Sequence, residues 1–147
     1  MVLAGGEFTE INTENSKLII DQLVDKFWWL CPMRELILDH GSEFGAHRIH
    51  DDGSWNSEFK DHLKKNGIKP ILARVKHPQT NGKLERFFGE YVKHRSAFAS
   101  FDEFITWYND RPHGSLNFQS LETPERAFRR KMPLEAYFAI GHRLFGL

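Results

Sequence analysis

Two short apolar runs, "ELILD" (35–39) and "IKPILAR" (68–74), most constrain this chain. Each is too short for a helix and is bounded by turn residues, so each reads as a strand. "ELILD" reads as a buried strand that ends in Asp39 and runs into the Gly-containing turn "HGSEFG". Between the two runs, "NSEFKDHLKKNG" sets Phe59 and Leu63 four apart and ends at Gly67, the pattern of a short helix over about 56–65. Upstream, Leu18, Ile19, Leu23, Phe27 and Leu30 recur close to every 3.6 residues, which predicts a helix over 13–30 stopped by Pro32. Before it, "VLAGGEFTEI" (2–11) suggests one more short strand. Strand, helix, strand, helix, strand, helix is the order of an α/β fold.

After residue 74 the pattern is helical. "HPQTNG" reads as a loop in which Thr80 and Asn81 cap a helix over about 81–95, since either side-chain oxygen can accept from a free N–H. Its apolar stripe is Leu84, Phe87, Phe88, Tyr91 and Val92. A further helix is expected over 100–109 on Phe101, Phe104, Ile105 and Tyr108, then a loop, then two short helices, each begun by a proline.

Formal charge sums to zero, but unevenly. Residues 1–59 hold 4 Lys and Arg against 11 Asp and Glu, residues 60–95 hold 10 against 3, and the remainder is balanced. A basic middle behind an acidic first half points to a polyanion partner, or to two oppositely solvated faces. The most apolar run, "LIIDQLVDKFWWL", is broken by Asp21, Asp25 and Lys26, which excludes a membrane-spanning helix. One cysteine, Cys31, excludes an intrachain disulfide framework and suits a reducing compartment. No basic or apolar leader pattern follows Met1, so no signal peptide is expected.

Asp39 at a strand end and Glu85 on a helix are hard oxygen donors on rigid elements, the kind of pair that holds Mg²⁺ or Mn²⁺. Two blocks give that pair a context: "LDHGSEF" (38–44), and "HPQTNGKLERF" (77–87). Together they resemble the second and third acidic motifs of the DDE transposases and retroviral-type integrases. "FDEFITWYNDRPHGSLNFQSLETPERAF" (101–128) is similar to the tail of insertion-sequence transposases of that family. The resemblance covers most of 35–130. It implies an RNase H-like α/β sheet with flanking helices, residues 1–98 forming a partial integrase core and 99–147 a helical C-terminal extension of the same domain. It also implies metal-dependent cutting and joining of DNA strands, in which Asp39 bridges two Mg²⁺ or Mn²⁺ ions and Glu85 holds one. The implied partners are the mobile element's ends and its target DNA, in the cytoplasm with the nucleoid. Dimerisation or higher assembly is expected.

The chain departs from the family in two ways. The family's first carboxylate lies on a first strand that has no counterpart here, and Glu7 and Glu10 are the only acids near the 2–11 run. The first strands are therefore expected to be missing, and these residues alone are expected to give weak or no strand transfer. Second, "GAHRIHDDGSW" lengthens the stretch between the two motifs; its His47, His50, Asp51 and Asp52 are metal donors by type, in what reads as a solvated loop. On the helix of Glu85, Lys83, Arg86 and Lys93 form a polar stripe able to reach phosphates, with Gln79 and Asn81 as further DNA contacts. Trp107, Tyr108, Arg111 and His113 are of types that stack on or contact DNA, although Trp107 and Tyr108 share a helix with Phe104, where such residues are more often core. Two alternatives stay open: a catalytically silent DNA-binding or assembly module that keeps the helices and basic face, and an RNase H-like nuclease.

Overall fold

The computed structural model describes residues 1–46, 50–51, 54–73, 78–117 and 119–146, with the backbone alone for 78–81. Its coarse class is a small α/β fold: a two-stranded parallel sheet with helices. The chain divides into two compact units, Gly6–Thr80 and Met1–Gly5 with Asn81–Leu147. No helix among the described residues is long and apolar enough to cross a membrane.

The first unit holds the sheet. Helix α1 (Thr13–Phe27) starts where the Asn12 side chain accepts the Asn15 N–H at 2.8 Å. It ends at Phe27, short of Pro32, because the amides of Leu30 and Cys31 both turn back to the Phe27 carbonyl. Strand β1 (Glu35–Leu38) pairs in parallel with β2 (Lys69–Leu72), Glu35 opposite Lys69 and Leu38 opposite Leu72. Helix α2 (Glu58–Lys65) makes the crossover between them, capped by the Ser57 hydroxyl on the Lys60 N–H and ended by Gly67 at φ +70°. Pro70 is tolerated in β2 for a simple reason. Lys69 and Ala73 donate to β1, at Arg34 and Leu38, so by the two-residue period of a strand Pro70, one place on from Lys69, faces away and its missing N–H costs the ladder nothing.

The core of this unit is Ile20, Leu38, Ala46, Trp55, Phe59, Leu63 and Ile68. β1 is not the buried strand its composition suggests. Leu38 is buried, but Ile37 is 60% exposed, because two strands and the helices packed on them cover one face only. Gly45 follows a 3-10 turn (Ser42–Phe44) at φ +66°, and a Cβ there would meet the Ser57 side chain. Gly45→Ala is expected to destabilise this unit by about 1–3 kcal/mol, from left-handed strain together with overpacking. Denaturant unfolding checks it, and a change within experimental error would show that the turn can relax.

The second unit is helical. Helix α3 (Pro78–His94) meets α4 (Phe101–Asp110) through Phe87 and Tyr91, whose rings stand 5.9 and 5.6 Å from Phe104. Ser100 caps α4 on the Glu103 N–H, and the Glu103 carboxylate returns to the Ala99 N–H. Pro112 follows its end. Helix α5 (Pro124–Arg130) opens with proline in its first turn and the Thr123 hydroxyl on the Arg126 N–H. Buried Glu122 accepts from Arg130 through both carboxylate oxygens, at 2.8 and 3.3 Å. Helix α6 (Leu134–Phe145) has Pro133 as its N-cap, one place before the expected first position, and Tyr137 donates to the Arg129 carbonyl at 2.6 Å.

The expected strand at 2–11 does not form. Val2 instead finds the side-chain amide of buried Asn109, which accepts its N–H and donates to its carbonyl, both at 2.8 Å. An amide side chain offers the same donor and acceptor as a peptide unit, so one backbone residue is satisfied without a ladder.

Candidate functional site

Asp39 follows the last residue of β1 and stands exposed at the carboxyl edge of the parallel sheet. Its turn is tied down from several sides. Asp39 Oδ1 accepts the Gly41 N–H at 3.0 Å, and His40 Nε2 lies 2.9 Å from the Ala73 carbonyl just past β2. That geometry requires the tautomer with a proton on Nε2. Downstream, Thr13 Oγ1 donates to the Glu43 carbonyl at 2.8 Å, and Phe44 packs on Phe59 with ring centroids 5.0 Å apart. The aspartate is thus on a fixed turn, with one carboxylate oxygen engaged by that turn.

Glu85 sits deeper in its helix than "HPQTNG" suggests. That block is not a loop throughout, because α3 begins at Pro78, which places Thr80 and Asn81 inside the first turn instead of at the cap. Proline lacks an N–H that a first helical residue does not use, and its φ is already helical, so the helix can start there. Glu85 is then about two turns in. The Gln79 and Asn81 side chains lie outside the described residues.

The faces of α3 follow from about 100° of rotation per residue. Phe87, Tyr91, Glu90 and His94 share the side that meets α4 or its end. The expected five-residue stripe is wider than α4 can cover, so Leu84, Phe88 and Val92 remain 50%, 53% and 81% exposed. Glu85 is exposed next to that row, beyond Val92. The cations Lys83, Arg86 and Lys93 lie toward the opposite flank, with Glu90 among them. Lys93 pairs at 4.0 Å with Glu90, a contact of little energetic weight on a surface. Among the described residues no ion pair engages Lys83 or Arg86.

Glu90 carries the part of this region that no sequence pattern reveals. Arg111 reaches it at 2.5 Å from the end of α4, and His94 stands 3.6 Å away. The Arg111 guanidinium also lies 4.6 Å over the Trp107 ring. Trp107 has its other neighbours in Phe98, Phe104 and His94, and Tyr108 is buried. Burial pushes the Tyr108 phenol above its ordinary pKa, against the opposing pull of Arg111. The Trp107, Tyr108 and Arg111 side chains are therefore engaged in the α3–α4 contact.

In the loop after Asp39, His50 closes a turn by donating its N–H to the Ser54 carbonyl at 2.7 Å, and His47 and Asp52 lie outside the described residues. Among the described residues no group of three or more His, Cys, Asp or Glu is gathered for a metal. Asp39 belongs to the first unit, and Glu85 with the three cations to the second. No family model, no curated protein and no solved structure matches this chain.

Proposed function

We propose that the chain is of the DDE transposase and integrase kind, a polynucleotidyl transferase acting on DNA with Asp39 and Glu85 as two of its carboxylates, and that strand transfer by these residues alone is weak or absent. The observation that carries this reading is Asp39. The acid of the block "LDHGSEF" stands exposed on a turn tied to the ends of both parallel strands, the edge where α/β sheets present ligands. Glu85, exposed on the rigid helix of the second block, supports it.

The donor set suits Mg²⁺ or Mn²⁺. Both acids are exposed hard-oxygen ligands, and only one oxygen of Asp39 is engaged by its turn. When bound, the cation stabilises charge on the attacking and leaving oxygens of a phosphodiester. Asp39 and Glu85 would hold it, and Lys83, Arg86 and Lys93 would position the DNA backbone through its phosphates without reading sequence. That no ion pair among the described residues engages Lys83 or Arg86 also suits the second reading, a silent DNA-binding or assembly module.

Manganese titration and duplex-DNA binding on the same protein separate these readings. Mn²⁺ affinity is expected to fall at least about tenfold in Asp39→Asn and in Glu85→Gln, since losing even an outer-shell partner of a metal ligand costs about that much. DNA affinity should drop steeply with salt, and Lys83→Gln and Arg86→Gln should each lower the salt slope by about one. DNA binding with metal affinity unchanged in both acid variants leaves the silent module. Absence of both activities in the parent chain defeats both readings.

A further inference from the structure

We propose that His113 is an acid-sensitive latch: its neutral ring, seated against Tyr108, holds the segment between α4 and α5 closed, and its protonation releases that segment. The backbone of His113 closes the segment at two points. Its N–H donates to the Glu122 carbonyl at 3.3 Å, and its carbonyl accepts the Leu116 N–H at 2.9 Å. Glu122 in turn donates its N–H to Asn117 at 3.0 Å, and the next residue caps α5. The imidazole meets the Tyr108 ring edge-on, with centroids 4.7 Å apart, and its Nε2 is buried with no hydrogen-bond partner among the described residues.

A neutral imidazole is the less costly occupant of that seat, because it buries an unpaired acceptor without burying a charge. An imidazolium would present a buried N–H with no acceptor, which burial penalises. The charges around it do not compensate. Arg111 at the end of α4 repels it, and the Met1 amino group does the same. Glu90 on α3 attracts it, but that carboxylate already binds Arg111 and flanks His94 and Lys93. Glu122 is committed to Arg130. Burial, first, and then Arg111 push the His113 pKa below its ordinary 6.5, while a backbone hydrogen bond with Tyr108 opposes them. As pH falls, the unfolded segment therefore takes up the proton first. The latch's stabilisation is full above 6.5 and is lost as pH drops through the lower pKa of the closed state.

Hydrogen exchange on the full chain tests this, at about pH 7.5 and about pH 5.5, on either side of the ordinary imidazole pKa and corrected for intrinsic rates. In the parent protein, protection of the Leu116 and Glu122 amides should fall several-fold at the lower pH, up to the limit of about tenfold that one proton taken up at the ordinary imidazole pKa allows. In His113→Gln, which cannot take up the proton, it should not change between the two. Unchanged protection in the parent protein, or the same loss in the variant, overturns the proposal. Should the variant not fold, the parent protein decides by NMR. The midpoint of the protection loss must coincide with titration of the His113 ring, and a midpoint that follows another histidine overturns the latch.

Discussion

Phe104→Ala is expected to lower the stability of the helical unit by about 3–5 kcal/mol, the range for truncating a buried aromatic. Phe104 has no exposed surface, and the rings of Phe87, Tyr91, Phe98, Phe101, Trp107 and Tyr108 all lie within 6.5 Å of it, centroid to centroid. Each such pair adds about 0.5–1.5 kcal/mol beyond area burial, although the pairs are not additive. Since whole domains are stable by only about 5–15 kcal/mol, one truncation removes a large part of the total. The loss also has a functional side. Without Phe104, α3 keeps the Glu90–Arg111 contact and ring pairs such as Phe87 with Tyr108, but loses the ring that Phe87 and Tyr91 share, so the helix carrying Glu85 is held less firmly. Denaturant unfolding followed by Trp107 fluorescence gives the number. Leu84→Ala on the exposed row is the control, at roughly ±0.5 kcal/mol. A Phe104→Ala effect as small as the control's would mean that the aromatic cluster does not hold the unit together.

Phe59→Ala should cost the sheet-bearing unit a similar amount, about 3–5 kcal/mol. Phe59 is 1% exposed and packs among Leu38, Leu63 and the other core residues of that unit. Its ring also supports Phe44, in the turn that follows Asp39. Two readouts are therefore expected together: a lower unfolding midpoint, and faster amide exchange at Phe44 and Gly45 under native conditions. Loss of stability with unchanged exchange in the turn would separate the core from the candidate site and remove Phe59's role in fixing Asp39.

What was legible in the sequence is what repeats locally. α1, α2, α4 and α5 follow from apolar spacing and from Pro124, and the two strands from short apolar runs bounded by turns. Partners distant in sequence were not legible. "VLAGGEF" has the composition of a strand, but Val2 pairs with an amide side chain 107 residues away. Pro78 signals a loop and a helix start equally well, so "HPQTNG" reads as a loop and the helix is expected from about 81, whereas α3 begins at Pro78. The α3 stripe shows which side is apolar but not how wide its partner is, which is why Leu84, Phe88 and Val92 look buried in sequence and are exposed in the fold. Glu90 with Arg111 joins two elements without any periodic signature. The two acids that motivate the functional reading were visible only as motif residues. Their chemistry as a pair rests on the proposal above.

The parallel pairing of β1 with β2 sets an order of events for the folding chain. Antiparallel neighbours can meet through a tight turn, but parallel strands must wait for the connection between them. Here Glu35 finds Lys69 only after the intervening chain, α2 included, has looped back. Helix α2 forms from local contacts alone, whereas the ladder needs the closed loop and its entropy cost. The sheet should therefore assemble late, with α2 as part of the nucleus on which it closes. The carboxyl edge that bears Asp39 is then among the last places in its unit to take shape on the way in.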